Sequence, residues 1–384
     1  MLPLFILGHF AHHLLTALPV PLSPMIRSEF ALNYTQVGLV ISAFTLSNGI
    51  GQMPAGWIAD HIGPRIVITM GICGVAVAGL LVGLSQTYVM MMVFLALMGV
   101  MAGGYHPAAP PLIAASVKPE HRGRALGLHI IGGSLSFFTA PLIASAITPI
   151  WGWRGAFIGL SVPAVIFGVI FYIILGRLMV SRKAKPGITG TQSEVPSTPG
   201  RLRRLTIFII LATATRAVVY SVMSFIPLFL VDKFSVAEET AARWIALIYF
   251  VGIFASPIGG YLSDRWGRVP LILATCFAVG PAIYLLNIAP YPWGIAIILL
   301  VIGIFIYVRM PVSEAYIVSH TSERNRSTVL GIFYFSGMEG GGILMPVIGY
   351  LADHIGVYLT FTIAGAVVVA VTAICSIWLW GKPD

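Results

Sequence analysis

Twelve stretches of about 20 mostly apolar residues follow one another with short polar interruptions, near 3–26, 35–60, 65–85, 88–116, 123–149, 152–177, 204–231, 238–263, 269–288, 292–318, 327–351 and 356–380. At a rise of about 1.5 Å per residue, each matches the hydrocarbon thickness of a bilayer. In lipid the backbone must satisfy its own hydrogen bonds, which leaves the helix as the spanning element for such runs. The expected fold is therefore all-α integral membrane, with twelve transmembrane helices. Only 9% of the 384 residues are Asp, Glu, Lys or Arg, against about 25% in a soluble domain, so a water-soluble globule is excluded. Cys73, Cys276 and Cys375 are an odd set inside apolar runs and read as small buried side chains, not as a disulfide framework. Met1 to Leu7 carry no Lys or Arg, so no basic region of a cleaved signal peptide is expected there.

The formal charge of +9 falls in short clusters between the apolar runs. That pattern fits a membrane face and not a nucleic-acid stripe. With the amino terminus placed in the cytosol, the inner segments hold sixteen of the 22 Lys and Arg, while the outer ones hold Arg27, Arg154, Lys233 and Arg243. By the positive-inside rule both termini are then cytosolic, in a plasma (inner) membrane. The remaining two, Arg216 and Arg309, fall within spans. Residues 178–203, rich in Gly, Ser, Thr and Pro, read as a cytosolic linker between a first half (1–177) and a second (204–384).

The halves repeat. Gly56-x-x-x-Asp60-x-x-Gly63 aligns with Gly260-x-x-x-Asp264-x-x-Gly267 at a shift of 204 residues, and the same shift places Pro107 on Pro311, Arg122 on Arg326 and Gly127 on Gly331. The reading is a duplicated six-helix unit, two pseudo-symmetric halves with a substrate site near the bilayer midplane. These two segments, continued by Arg65 in the first and by Arg265 and Arg268 in the second, resemble the signature loop of the major facilitator superfamily. The first copy differs in having His61 and Pro64 where basic residues are usual. Gly103-Gly104-Tyr105-His106-Pro107, followed by Arg122-Gly123-Arg124 and Gly132-Gly133, resembles the fosmidomycin-resistance-like exporters of that superfamily. The fifth span resembles a diluted antiporter motif of its drug exporters, though Leu95 stands where many of those have an arginine in the fourth.

In the signature loop the glycines permit a tight turn, and Asp60 can accept from a basic side chain or from the amides of a facing helix N-terminus. The resemblance implies a cytosolic latch formed by Gly56, Asp60, Gly63 and Arg65 with Gly260, Asp264, Arg265, Gly267 and Arg268, for which Arg122, Arg124 and the start of the eleventh span are candidate partners. The alternative is a pair of solvated turns.

An ionised group at the bilayer centre costs roughly 2.5–3.5 kcal/mol on insertion scales, so ionisable residues inside spans are the best guide to function. They are His9, His12, His13, His106, His129, Arg216, Arg309, Glu314 and Glu339. Seven lie on spans 1, 4, 7 and 10, which the resemblance implies line a central cavity. Arg216 and Arg309 offer planar donors to a carboxylate or phosphonate, and with His13, His106 and Tyr105 they are the expected substrate contacts. Glu339, expected to pair with one of the arginines, is the leading proton-coupling group, followed by Glu314 and His129. His9 and His13 share a helical face and with His106 could bind a metal. No Cys or carboxylate stands near them in sequence, so neutral hydrogen-bonded histidines are expected and no metal or other cofactor is assigned.

A secondary transporter explains the duplication, the loops and the buried charges together. An intramembrane metal enzyme would explain only the histidines, and a receptor of the same fold only the architecture. No phosphate-binding loop or nucleophile triad is present, so ATP-driven transport and hydrolysis are disfavoured and an enzyme is not expected. The expectation is a monomer exporting a small anionic or amphipathic compound with proton coupling, with organic-anion import as the alternative.

Overall fold

Prolines and glycine pairs decide where the apolar runs break. The computed structural model describes residues 1–118, 121–180, 200–321 and 323–380, and the described residues are helices and turns without a strand. The first run is two helices, α1 (Leu2–Thr16) and α2 (Ser23–Phe30), parted by turns carrying Pro19 and Pro21. Next come α3 (Tyr34–Ile62) and α4 (Pro64–Leu84). The fourth run divides at Gly103-Gly104 into α5 (Tyr88–Ala102) and α6 (Tyr105–Ala115). The fifth and sixth runs are one element, α7 (Arg122–Val180), whose backbone leaves helical torsions at Gly152.

The same habit continues in α8 (Arg201–Ser224), α9 (Ile226–Phe234), α10 (Glu238–Trp244) and α11 (Ala246–Trp266). The last four are α12 (Arg268–Leu285), α13 (Trp293–His320), α14 (Glu323–Ile355) and α15 (Val357–Leu379). Among the described residues, eight helices are long and apolar enough to cross a membrane. Large apolar side chains such as Met53, Val93, Ile166, Ile297 and Ile377 stand exposed on their outer faces, as expected of helices solvated by lipid.

The chain divides into two units, Met1–Lys185 with Ile226–Tyr249, and Pro186–Phe225 with Phe250–Asp384. The first has a core of Phe5, Ile72, Tyr105, Ile113, Phe171 and Leu175. The second is built on Phe208, Leu211, Ile272, Tyr316, Ile317 and Leu379, with the Phe208 and Tyr316 rings stacked at 4.0 Å. Small residues bring backbones together, as a membrane protein requires when burial of apolar surface gives little net drive between helices. A Cβ on Gly51 would press on the backbone of Val100, and one on Gly259 on the backbone of Val308.

Four sharp helix-to-helix turns share one torsion. Gly63 (φ 95°, ψ 141°), Gly152 (φ 64°, ψ −179°), Gly267 (φ 85°, ψ 152°) and Gly356 (φ 82°, ψ 152°) all lie in a region that side chains with a Cβ avoid. Gly63 to Gly152 and Gly267 to Gly356 are each 89 residues, and Gly63 to Gly267 and Gly152 to Gly356 each 204. The 204-residue duplication therefore contains a finer three-helix repeat. Two of these turns carry the same pentapeptide, Ala-Asp-His-Ile-Gly, at 59–63 and 352–356. In both, the histidine Nδ1–H donates to the carbonyl four residues back, His61 to Trp57 at 2.8 Å and His354 to Tyr350 at 2.8 Å. The ring N–H is thus served within the last turns of the helix by a carbonyl that has a second lone pair beside its helical bond.

Candidate functional site

In the first unit the histidines scattered through the sequence converge. His9, His12 and His13 lie on α1, Tyr105 and His106 open α6, and His129 lies on α7. The His9 and His129 rings stack at 4.2 Å, His9 and His13 are 4.8 Å apart, and His13 and His106 5.1 Å. Tyr105 stacks on His12 at 4.7 Å. Its hydroxyl donates to the Phe5 carbonyl at 3.1 Å, and His129 Nδ1–H donates to the same oxygen at 3.2 Å. Both donors therefore converge on one carbonyl of α1. Gly132 and Gly133 make the approach of α7 to α1 possible: a Cβ at Gly132 would collide with the Ile6 carbonyl, and one at Gly133 would meet the His9 ring at 2.7 Å.

His9 Nδ1 lies 2.9 Å from the His129 carbonyl, which can only accept. The proton is therefore on Nδ1 and Nε2 carries a lone pair, and that buried nitrogen has no hydrogen-bond partner among the described residues. The structure thus brings together His13, His106, Tyr105 and His129, together with His9 and His12.

In the second unit, α13 carries Arg309 with only 8% of its surface exposed. Its Nη1 donates to Thr215 Oγ1 on α8 at 2.5 Å and lies 3.6 Å from Cys276 Sγ on α12. The Thr215 hydroxyl proton is directed to the Leu211 carbonyl at 2.7 Å, which leaves its oxygen free to accept from the guanidinium. No carboxylate pairs with Arg309 among the described residues. Arg216, next to Thr215 on α8, lays its side-chain stem over Gly337 of α14, where a Cβ would come within 3.0 Å. Gly340 and Gly341 receive Ala217 and Tyr220 in the same way, and Ser221 Oγ donates to the Gly341 carbonyl at 3.2 Å.

Glu339 is buried two residues beyond Gly337, and its Oε1 has no hydrogen-bond partner among the described residues. It makes no ion pair with either arginine among those residues, which differs from the pairing expected from sequence. The reason is helical phase: Gly337 is the residue that meets Arg216, and Glu339 stands about 200° further round α14. Glu314 lies on α13, five residues beyond Arg309, and is half-buried.

The signature-loop acids Asp60 and Asp264 are exposed. Arg65 turns from Asp60 onto α7, donating from Nε to the Tyr172 carbonyl at 3.0 Å with its guanidinium 3.6 Å over the Tyr172 ring. Arg265 lies over Tyr261 at 5.3 Å, and Arg268 donates to Ser319 Oγ at 2.6 Å. Gly63 and Gly267 make the turns, whereas Gly56 and Gly260 are ordinary helical positions of α3 and α11. The side chains of Arg122 and Arg124 lie outside the described residues.

Sequence reasoning passed over Thr215 and Cys276, and also a polar clasp in the first unit. There Arg27 Nη1 reaches both oxygens of Asp232, at 2.9 and 2.6 Å, and the Tyr34 hydroxyl donates to Asp232 Oδ2 at 2.6 Å. Beside it, Ser28 donates to Glu238, and Glu29 accepts from Arg154 and from the Trp153 indole at 2.6 Å. The available signal was one of residue type: acids and bases confined to the few short stretches outside apolar runs.

A bundle of long apolar helices that encloses a cation such as Arg309 has the architecture found among membrane transport proteins. A sequence model described as Major Facilitator Superfamily matches residues 5–242 and 208–384, and the chain belongs to that family. It is 23% identical over 361 residues to the fosmidomycin resistance protein of Escherichia coli (strain K12), covering 93% of this chain and 87% of that one. To the cis,cis-muconate transport protein of Acinetobacter baylyi it is 24% identical over 354 residues, covering 89% and 84%. The crystal structure of a bacterial homolog of the human lysosomal transporter Spinster, inward-facing and unoccupied, superposes with a TM-score of 0.76 at 17% identity, covering 98% of this chain and 94% of that one. The fold is that of the superfamily, the protein is membrane-embedded and multi-pass, and its relatives are transporters and not enzymes.

Proposed function

We propose that the protein is a secondary active transporter that works by alternating access and exchanges protons for a small organic anion, moving the anion outward. The observation that carries this reading is Arg309: a buried guanidinium whose partners are a neutral hydroxyl and a thiol. A buried cation without a carboxylate is strongly destabilising unless something anionic visits it, and a planar fork suits carboxylate, sulfonate or phosphonate oxygens. Arg216, His13, His106 and Tyr105 are the further substrate contacts in this reading. The relatives' names, one for fosmidomycin resistance and one for cis,cis-muconate transport, support small organic substrates.

Glu339 is the proton carrier, because a buried carboxylate with an unpartnered oxygen is the kind of group that intramembrane proton transfer uses. Glu314 stands second. The proposed topology has twelve crossings in two halves, 1–177 and 204–384, with both termini and the 178–203 linker in the cytosol of a cell with this chain in its inner membrane, and the protein acts as a monomer. Asp60 and Asp264, exposed at their turns, are proposed to engage facing groups when the cytosolic side closes.

The test is flux in proteoliposomes, with fosmidomycin and cis,cis-muconate as probes under an imposed pH gradient. Glu339→Gln should lose gradient-driven accumulation and keep exchange of the probe, whereas Arg309→Ala should lose both. Accumulation at the wild-type level in the Gln variant removes Glu339 from the mechanism. Import of an organic anion is the second reading, favoured by the muconate transporter among the relatives; an inward gradient that drives accumulation inside the vesicle on the cytosolic-side-in orientation would select it.

A further inference from the structure

We propose that His9, His13 and His106 form a binding site for one divalent transition-metal ion of the Zn2+ type, a property beyond the transport reading although it shares His13 and His106 with the proposed substrate contacts. One ring nitrogen from each of the three lies within 4.8 Å of both of the others. In a tetrahedral site with metal–nitrogen bonds of about 2.0–2.1 Å, ligand nitrogens stand about 3.3–3.4 Å apart, so modest ring rotations close the set. Half-buried His13 and His106 have room for that movement.

The hydrogen-bond directions point the same way. His9 Nδ1–H is committed to the His129 carbonyl. His13 Nδ1 meets Thr16 Oγ1 at 3.0 Å, and the Thr16 hydroxyl donates to the His13 carbonyl, so here too the imidazole is the donor and its Nε2 keeps a lone pair. These are outer-sphere bonds of the kind that fix the tautomer and orientation of metal-ligating histidines. His9 Nε2 is buried with no hydrogen-bond partner among the described residues, on a side chain that is 7% exposed. Lone pairs facing one another in a buried cluster repel, and a shared cation removes that repulsion.

No Asp, Glu or Cys joins the group among the described residues. The donor set is therefore neutral, the ion keeps its full charge, and a fourth position stays open for hydroxide or another anionic oxygen. Oxygen-seeking ions such as Mg2+ and Ca2+ are disfavoured by an all-nitrogen set. The sequence offered the same three histidines but pointed away from a metal because no carboxylate or thiol stood near them; the folded chain brings their ring nitrogens together without one.

The test uses the full chain carrying an affinity tag without histidine, purified in detergent, stripped with chelator and dialysed against Co2+ and, separately, Zn2+. About one Co2+ per chain should be retained, with the visible bands of a tetrahedral nitrogen site and no thiolate charge-transfer band. His13→Ala and His106→Ala should each abolish stoichiometric retention while eluting as the wild type does. Thr16→Val, which removes only the acceptor of the His13 proton, should weaken binding about 10–100-fold. His320→Ala and His354→Ala, at helix ends outside the cluster, should leave retention unchanged. Absence of Co2+ and Zn2+ uptake by the wild type would mean that the lone pairs share a proton and would overturn the proposal. Uptake that persists in His13→Ala and His106→Ala would overturn it as well.

Discussion

Replacing Arg309 by Met should abolish transport without lowering the stability of the protein. Arg309 is 8% exposed, and desolvating an ion of this kind costs several kcal/mol even after the surroundings relax. Against that stand one charge-assisted hydrogen bond to Thr215 Oγ1, of about 1.5–3 kcal/mol, and a weak sulfur acceptor at 3.6 Å. The site is left short of compensation. Met has a similar length and no charge, and replacement of buried ionic groups by apolar residues of like volume is often neutral or stabilising by about 1–4 kcal/mol. For a folding unit of 150–250 residues each kcal/mol moves the melting temperature about 2–4 °C. Purified Arg309→Met should therefore melt at or above the wild-type temperature, read by tryptophan fluorescence in detergent, while its flux of fosmidomycin and cis,cis-muconate in proteoliposomes falls to background. Thr215→Val is the opposite perturbation: it keeps the charge and removes its acceptor, and should lower stability by about 1–3 kcal/mol. Arg309→Met melting several degrees below wild type, with flux intact, would show that the arginine is a structural group and refute the argument.

The clasp at Asp232 should be worth about 1–2 kcal/mol, since an Arg27 pair that is about a third exposed contributes under about 1 kcal/mol and the Tyr34 hydrogen bond about as much; double-mutant cycles of Arg27→Met with Asp232→Val and of Tyr34→Phe with Asp232→Val on thermal unfolding measure the two parts, and couplings near zero in both reject it. Gly267→Ala should destabilise by about 1–3 kcal/mol through its torsion, whereas Gly159→Ala, in a helical position with open space around its missing Cβ, should be neutral or stabilising by up to about 1 kcal/mol; equal effects would mean that the turn torsion is dispensable. A reporter that fluoresces only in the cytosol should be bright when fused after Asp384, and a dark fusion with an active periplasmic counterpart would reverse the proposed topology.

The architecture was legible because hydropathy and repetition are properties of the chain itself. A 20-residue apolar run needs no tertiary information to be read as a helix in lipid, and the loop at Gly56–Gly63 announces its partner at Gly260–Gly267 by spacing alone. The interruptions were less legible. Pro19 and Pro21 stop α1 short of the predicted span, and Gly103-Gly104 divides α5 from α6, yet Pro257 and Pro346 stay inside α11 and α14. In lipid a neighbouring helix decides which breaker actually breaks. The environment of each buried charge was out of reach for a different reason. Thr215 lies 94 residues from Arg309, and His129 lies 120 from His9. Nothing in local spacing says that a threonine will be the acceptor, or that a ring will stack on another from α7. The 89-residue step, by contrast, was open to inspection in the glycines and in the repeated pentapeptide.

A step of three crossings has a consequence for the membrane that a step of six does not. Three is odd, so in the proposed topology each successive copy of the turn opens onto the opposite compartment. In that topology the pentapeptide at 59–63 would meet the cytosol and its twin at 352–356 the outside. One short phrase thus functions under two different surface potentials and two different ionic milieus. What the copies share, the glycine torsion and the histidine that closes the preceding helix, is indifferent to sidedness. Whatever distinguishes an inner gate from an outer one must then come from the surfaces facing these turns. The aspartate in the phrase is a common letter whose meaning is set by its side of the bilayer.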